Sequence, residues 1–228
     1  MNPRISLTAL TLFVTAAGAH ELPASLDPSM ENAELAIAEL AAPVLDTSLA
    51  SAEAREVFEY WRAAGPALWF AKDAAFDSRF RERFLADHEA AARGELEHWM
   101  ATPEGALALV VLLDQFPRNA FRGTARMYDT DALARRAAGK AFAAGYDQRL
   151  PLELRKFFVL PFAHSEDLAD QERSVALARR MDPDDLAHAE HHRDVVQRFG
   201  RFPHRNRILG RKTTAAEQQY LDDGGYQG

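Results

Sequence analysis

The sequence predicts an all-α protein built as stacked antiparallel helical hairpins, about nine helices with short joints. Three observations carry this. No segment of useful length alternates apolar and polar residues like a half-buried strand. Apolar residues recur at helical spacing instead, as with Phe76, Phe80 and Phe84. Start and stop signals punctuate the chain: Thr102-Pro103 and Thr214 with Glu217 as starts, Gly94, Gly145 and Gly200 as stops.

Residues 1–19 read as an export signal. Arg4 supplies the positive charge, residues 5–14 (ISLTALTLFV) the apolar run, and Ala17-Gly18-Ala19 the small-x-small cleavage pattern. The run is too short to span a membrane, so no transmembrane segment is expected. This reading makes the protein periplasmic or exported. A start at Met30 instead makes it cytoplasmic. Cleavage after Ala19 leaves an N-terminal His20, whose amine and imidazole can bind copper, although one histidine is not a site. Residues 20–50, with prolines at 23, 28 and 43, form an extension, and 51–228 one helical domain.

Within that domain the spacing predicts helices over 52–63 and 74–93. Thr102 caps the next, with Pro103 at its first position. Its sequence, ALALVVLLDQF, is apolar nearly all round, which makes it central. A helix over 130–144 follows, then one opened by Pro151 and closed by Pro161. Ser165 is placed to cap a helix running to Met181, and Asp182-Pro183 one running to Phe199. Thr214-Ala215-Ala216-Glu217 is a capping box for a last short helix. One motif occurs twice, each time placed after a helix end: Phe116-Pro117-Arg118-Asn119 and Phe202-Pro203-His204-Arg205-Asn206.

Composition narrows the function classes. The 228 residues are 47% hydrophobic, enough for a sizeable core, and the net charge is −7. That balance gives no reason to expect nucleic acid, which needs a concentrated basic face. With no cysteine there are no disulfides, zinc ribbons, iron–sulfur clusters or thiol nucleophiles. The only lysines are Lys72, Lys140, Lys156 and Lys212, so arginine carries most of the positive charge. Its rigid fork suits carboxylates and phosphates. There is no Gly-rich phosphate loop and no GxSxG elbow.

The stretch RFGRFPHRNRILGR, 198–211, threads five arginines and His204 among Phe199, Phe202, Ile208 and Leu209. Buried arginines need partners, and Asp114, Glu166 and Asp167 are available. Two readings stand: a salt-bridged corner locking three helices, or an anion pocket with arginine forks aimed at a phosphate or carboxylate. In His164-Ser165-Glu166-Asp167, the histidine sits at a positive helix end, which favours the neutral imidazole. It is a candidate general base or metal ligand, or the motif is plain helix capping. His188 and His192 share one helix face at i and i+4 and can share a metal if His164, His204 or Glu190 comes close. The other reading is a satisfied core histidine.

Four segments, 68–84, 112–131, 160–174 and 192–217, resemble the bacterial domain-of-unknown-function family numbered 924. LDQFPRN, PFAHSEDL and FGRFPHRN are its most specific motifs, and the likeness covers roughly residues 54 to 221. The resemblance implies an all-helical fold similar to tetratricopeptide-type hairpins, and no established activity. Its signature positions fall on Asp114, Gln115, Arg118, Asn119, His164, Ser165, Glu166, Asp167, His192, Arg198, Arg201, His204, Arg205 and Asn206. Relatives usually carry an aromatic-Trp-Phe-Gly-like stretch where this chain reads Tyr60-Trp61-Arg62-Ala63-Ala64-Gly65.

Three functional expectations follow. In the first, Arg118, Arg198, Arg201 and Arg205 hold a small anion, Asp114, Glu166 and Asp167 orient them, and His164, His192 or His204 transfers a proton. In the second, a tetratricopeptide-like scaffold binds a peptide or protein partner through exposed aromatics such as Trp61 and Trp69. In the third, His164, His188, His192 and acidic neighbours hold a metal. The sequence names no reaction and no cofactor.

Overall fold

A computed structural model describes residues 50–227 apart from Asp182. The signal-like segment, His20, the extension to residue 49 and the Asp182 half of one expected cap lie outside the described residues. Within them the chain is all-helical. The helices are α1 (Ala52–Trp69), α2 (Ala74–Ala92), α3 (103–120), α4 (Asp131–Ala143), α5 (Leu152–Ala163), α6 (Leu168–Ala178), α7 (Pro183–Phe199) and α8 (Ala215–Asp222).

Side-chain oxygens open most of them, by accepting from amides that have no intrahelical partner. Ser51 accepts from the Ala54 amide, Asp73 from Phe76, and Thr102 from Gly105. Thr214 and Glu217 form the expected capping box. Glycines close them: Gly94, Gly145 and Gly200 all have positive φ (79°, 68° and 69°).

Four local expectations need correction. The first helix does not stop at Ala63; α1 continues to Trp69 across a break at Gly65 (φ 66°, ψ 177°), just before Pro66. Pro161 does not close α5, because the His164 amide bonds the Leu160 carbonyl and completes a turn beyond it. The cap of α6 is Asp167, which accepts from the Ala169 and Asp170 amides, and Ser165 instead accepts from the Asp167 amide. That helix ends at Ala178, short of Met181.

The fourth correction concerns α3. Phe116-Pro117-Arg118-Asn119 does not follow a helix end. The α-helix Pro103–Val110 passes through a π-turn, Val111–Gln115, and resumes as Phe116–Ala120. Pro117 has no N–H to give back to the preceding turn, so the wider turn leaves carbonyls to be satisfied by side chains. His88 bonds the Leu112 carbonyl (2.8 Å), Thr130 the Leu113 carbonyl (2.5 Å) and Arg118 the Asp114 carbonyl (2.7 Å).

Every residue of 103–117 is buried, as an all-round apolar helix requires. Helices α1 and α4 pack on its first part and α2 on its last. From α4 to α7 each helix packs on the next in sequence, α4 on α5, α5 on α6 and α6 on α7. Phe80 lies at the heart of the core, 5.2–5.7 Å ring to ring from Tyr60, Trp61, Phe76, Phe84 and Phe116.

Candidate functional site

The polar end of α3 projects toward the C-terminal end of α5, where Asp114 meets His164. There the fold opens a cleft of about 530 Å³. Its floor is built from the residues that the sequence left unexplained as core. Asp114 is fully buried behind it and accepts from the Gln115 amide (2.7 Å) and from His164 Nδ1 (2.9 Å). Burial alone raises a carboxyl pKa, but the Arg118 guanidinium and His164 outweigh it and bring Asp114 down to about 2. A carboxylate on Nδ1 fixes the tautomer of His164 and leaves Nε2 with its lone pair. No hydrogen bond among the described residues engages that Nε2, and the side chain is 14% exposed, on the cleft it lines. Burial, then Arg118, lowers the His164 pKa and keeps it neutral.

The two copies of the Phe-Pro motif meet here. Arg118 from the first donates to Asp131 (2.8 Å), and Arg205 from the second lies 3.8 Å from the other oxygen of Asp131. Both guanidinium groups flank the Tyr128 ring, at 5.9 and 4.5 Å from its centroid. Arg205 also donates to the His164 carbonyl (3.0 Å). Gln171 braces this corner from α6 by donating to the Ala163 and Ser165 carbonyls (2.8 and 2.5 Å).

Several buried polar atoms around the cleft have no protein partner: Arg118 Nη2, Arg205 Nε, His192 Nε2, His204 Nδ1 and Ser174 Oγ, all on lining residues. Unpartnered buried polar groups are uncommon and costly. His192 gives Nδ1–H to the His188 carbonyl (2.7 Å), so its free nitrogen is the acceptor. Burial, with His164 nearby, lowers His192 to about 3; burial, with Arg205 beside it, lowers His204 to about 4. Burial also makes the Arg205 charge less favourable, with Arg118 adding to it. The arrangement can therefore present two cationic forks beside neutral imidazoles, one of them oriented by a carboxylate.

The arginine-rich stretch 198–211 is divided between two tasks. Arg201 forms a two-pronged pair with Glu217 (2.6 and 2.8 Å), and Arg211 another with Glu166 (2.6 and 3.0 Å). Glu166 also accepts from the Phe202 amide, and Asn206 from Arg211. Arg198 stacks over Phe199 and Tyr220. These are corner-locking contacts, and Ser165 and Asp167 are engaged at the start of α6. Of the expected anion-holding and orienting residues, Arg198, Arg201, Glu166 and Asp167 do not line the cleft, nor do the signature residues Ser165 and Asn206, which were candidates for ligand binding. Arg205 alone of the stretch's arginines faces it, alongside His204. Asn119 lines the cleft but is tied to Asp77 (2.7 Å), which Arg122 also holds.

The metal expectation is not supported by geometry: among the described residues, no three His, Asp or Glu side chains converge as ligands. The aromatic-groove expectation needs correction, because Trp61 and Trp69 are core residues, 1% and 4% exposed, with the Trp69 indole bonded to the Trp61 carbonyl. Sequence reasoning missed Tyr128, Asp131, Ser174 and Tyr226. Tyr226 packs edge-on to His192 (4.6 Å) and His204 (5.0 Å), and nothing in the glycine-flanked tail DDGGYQG signals that. Asp131 reads as a first-turn acidic residue, and its role as counter-ion is set by packing alone.

Residues 57–225 match the family described as bacterial protein of unknown function (DUF924). The chain belongs to this family. Among solved structures, the DUF924 chain is similar to a protein of unknown function from Agrobacterium tumefaciens. The two share 54% identity and a TM-score of 0.75, over 78% of this chain and all of that one. No curated protein matches. What the DUF924 resemblance implied, an all-helical fold without an assigned activity, is what the comparisons support.

Proposed function

We propose that this protein binds a small anionic ligand in the cleft, clamped between Arg118 and Arg205. One observation carries the reading: two buried guanidinium groups flank a single tyrosine ring, and each has a donor, Arg118 Nη2 and Arg205 Nε, without a protein partner. Asp131 already bridges the two guanidinium groups and Asp114 lies 3.3 Å from Arg118, so the capacity left for a ligand is the pair of donors these carboxylates do not meet, which are costly to leave unmet in a folded interior. A carboxylate or phosphate accepts from guanidinium forks in that geometry. The Asp114–His164 pair, with its free Nε2 on the cleft, adds a proton acceptor beside the bound anion. The peptide-groove reading loses the exposed tryptophans it rested on, because Trp61 and Trp69 are 1% and 4% exposed.

The test is a thermal-shift screen of anionic metabolites, inorganic phosphate and simple carboxylates against the full chain. A ligand at about a hundred times its dissociation constant adds ~2.7 kcal/mol of stability, a shift of a few degrees. The expected result is a hit that disappears in Arg205→Ala while far-ultraviolet circular dichroism is preserved. Silence across the screen, with Arg205→Ala unfolding at markedly lower temperature, makes Arg205 a structural brace instead.

A further inference from the structure

The cleft is graded along its length, and the gradient restricts what fills it. Helices α5 and α7 run alongside each other in the same sense. Lys156 on α5 pairs with Asp185 on α7 (2.8 Å), and one end of the cleft lies at this bridge. His164, eight residues beyond Lys156, and His192, seven beyond Asp185, stand at the other end with Arg118 and Arg205. At 1.5 Å per helical residue, the two ends are about 12 Å apart along α5 and about 10 Å apart along α7. Between them the wall is mainly apolar, with Val159, Leu160 and Ala163 from α5, Ala178 from α6 and Ala189 from α7, interrupted by His188 on α7 and Ser174 on α6. The Lys156 end is aromatic. Trp69 and Phe70 pack on Phe157, the neighbour of Lys156, at 5.0 and 6.0 Å, and Phe70 is 59% exposed.

A compact anion alone, inorganic phosphate or acetate, fits the charged floor and leaves the apolar length without purpose. A neutral apolar molecule leaves the guanidinium donors unmet. Resting on the anion-binding reading above, we infer that the ligand is an elongated amphipathic anion. Its carboxylate or phosphate headgroup sits at Arg118 and Arg205. Its apolar chain or ring system runs about 12 Å along α5 toward Phe70. The small side chains of Ala163, Ala178 and Ala189 line that run.

The experiment is calorimetric titration of the full chain with n-alkanoates from acetate upward, below their micelle concentrations, and with n-alkyl phosphates as a second headgroup series. The expected result is that each added methylene tightens binding about fourfold, until the chain spans the cleft and the gain stops. Leu160→Trp is expected to end the gain at a shorter chain while leaving acetate unaffected, and Arg205→Gln to weaken every member of both series. The series that binds identifies the headgroup. If acetate or phosphate binds in an Arg205-dependent way but longer chains bind no tighter, the elongated ligand is wrong and the anion site stands. If no member of either series binds, both readings fall. If long chains bind equally to Arg205→Gln, or if n-alkylammonium ions bind as well as alkanoates, the inference is overturned, because the contact is then generic grease.

Discussion

The side chains of residues 106–113 of α3 belong to the apolar core, whereas Asp114, Arg118 and Asn119 of the same helix pair with His164, Asp131 and Asp77. One π-turn separates the two environments. In the first, burial is complete and the side-chain contacts are non-directional, so stability follows removed apolar area. In the second, burial is equally deep but charges must be matched one by one, and several polar atoms are left unmatched. The comparison teaches that burial means opposite things at the two ends: it stabilises the aromatic cluster and strains the polar floor. Sites that bind are drawn from the second kind, because stability is given up there for unmet polar capacity.

The largest expected effect breaks the apolar side. Phe80→Ala removes the ring that five aromatic neighbours surround and costs about 3–5 kcal/mol, read by urea denaturation. Next comes pH, which strains the polar side. His192 and His204 are held to about 3 and about 4 in the fold, and His164 is also lowered, whereas an unfolded histidine titrates near 6.5. Between those limits the unfolded state binds the extra protons, so stability falls as pH drops below about 6.5, by up to ~1.4 kcal/mol per unit for each histidine. Asp114, at about 2, adds a further loss as pH falls from about 4 toward 2. Urea unfolding at a series of pH values checks both phases, and His192→Gln is expected to flatten the first.

Gly105→Ala sharpens the comparison at the tight start of α3. A Cβ there stands 2.3 Å from the Trp99 carbonyl oxygen, so the helix must shift, at a cost of about 1–3 kcal/mol in thermal unfolding. The smallest expected change is the most telling. Arg205→Met keeps volume, removes a charge that burial disfavours, and changes stability by about 1 kcal/mol or less, in either direction. A loss as large as that of Phe80→Ala, read by the same denaturation, places Arg205 among the structural braces.

Much of the fold was legible because its signals are local. Thr102-Pro103, the Thr214–Glu217 capping box and the stops at Gly94, Gly145 and Gly200 act within one helical turn. The misread points were those where a local signal was overridden. Pro161 and Pro117 read as breaks, yet neighbouring side chains and backbone carry the helix past them. The site was half legible: Asp114, Arg118, His164, His192, His204 and Arg205 stand out as polar residues in apolar company.

By itself the sequence determined that the chain is helical, where most helices begin and end, and which polar residues are candidates, because caps, periodicity and residue chemistry act over a few neighbouring positions. Only the tertiary structure decided which arginines lock the corner and which one faces the cleft. Arg201 and Arg211 find Glu217 and Glu166, whereas Arg205, four residues from Arg201, finds a shared Asp131, a carbonyl and Tyr128. That choice depends on partners 16 to 77 positions away, brought to 2.6–4.5 Å by packing, and charge pairing is decided at that distance.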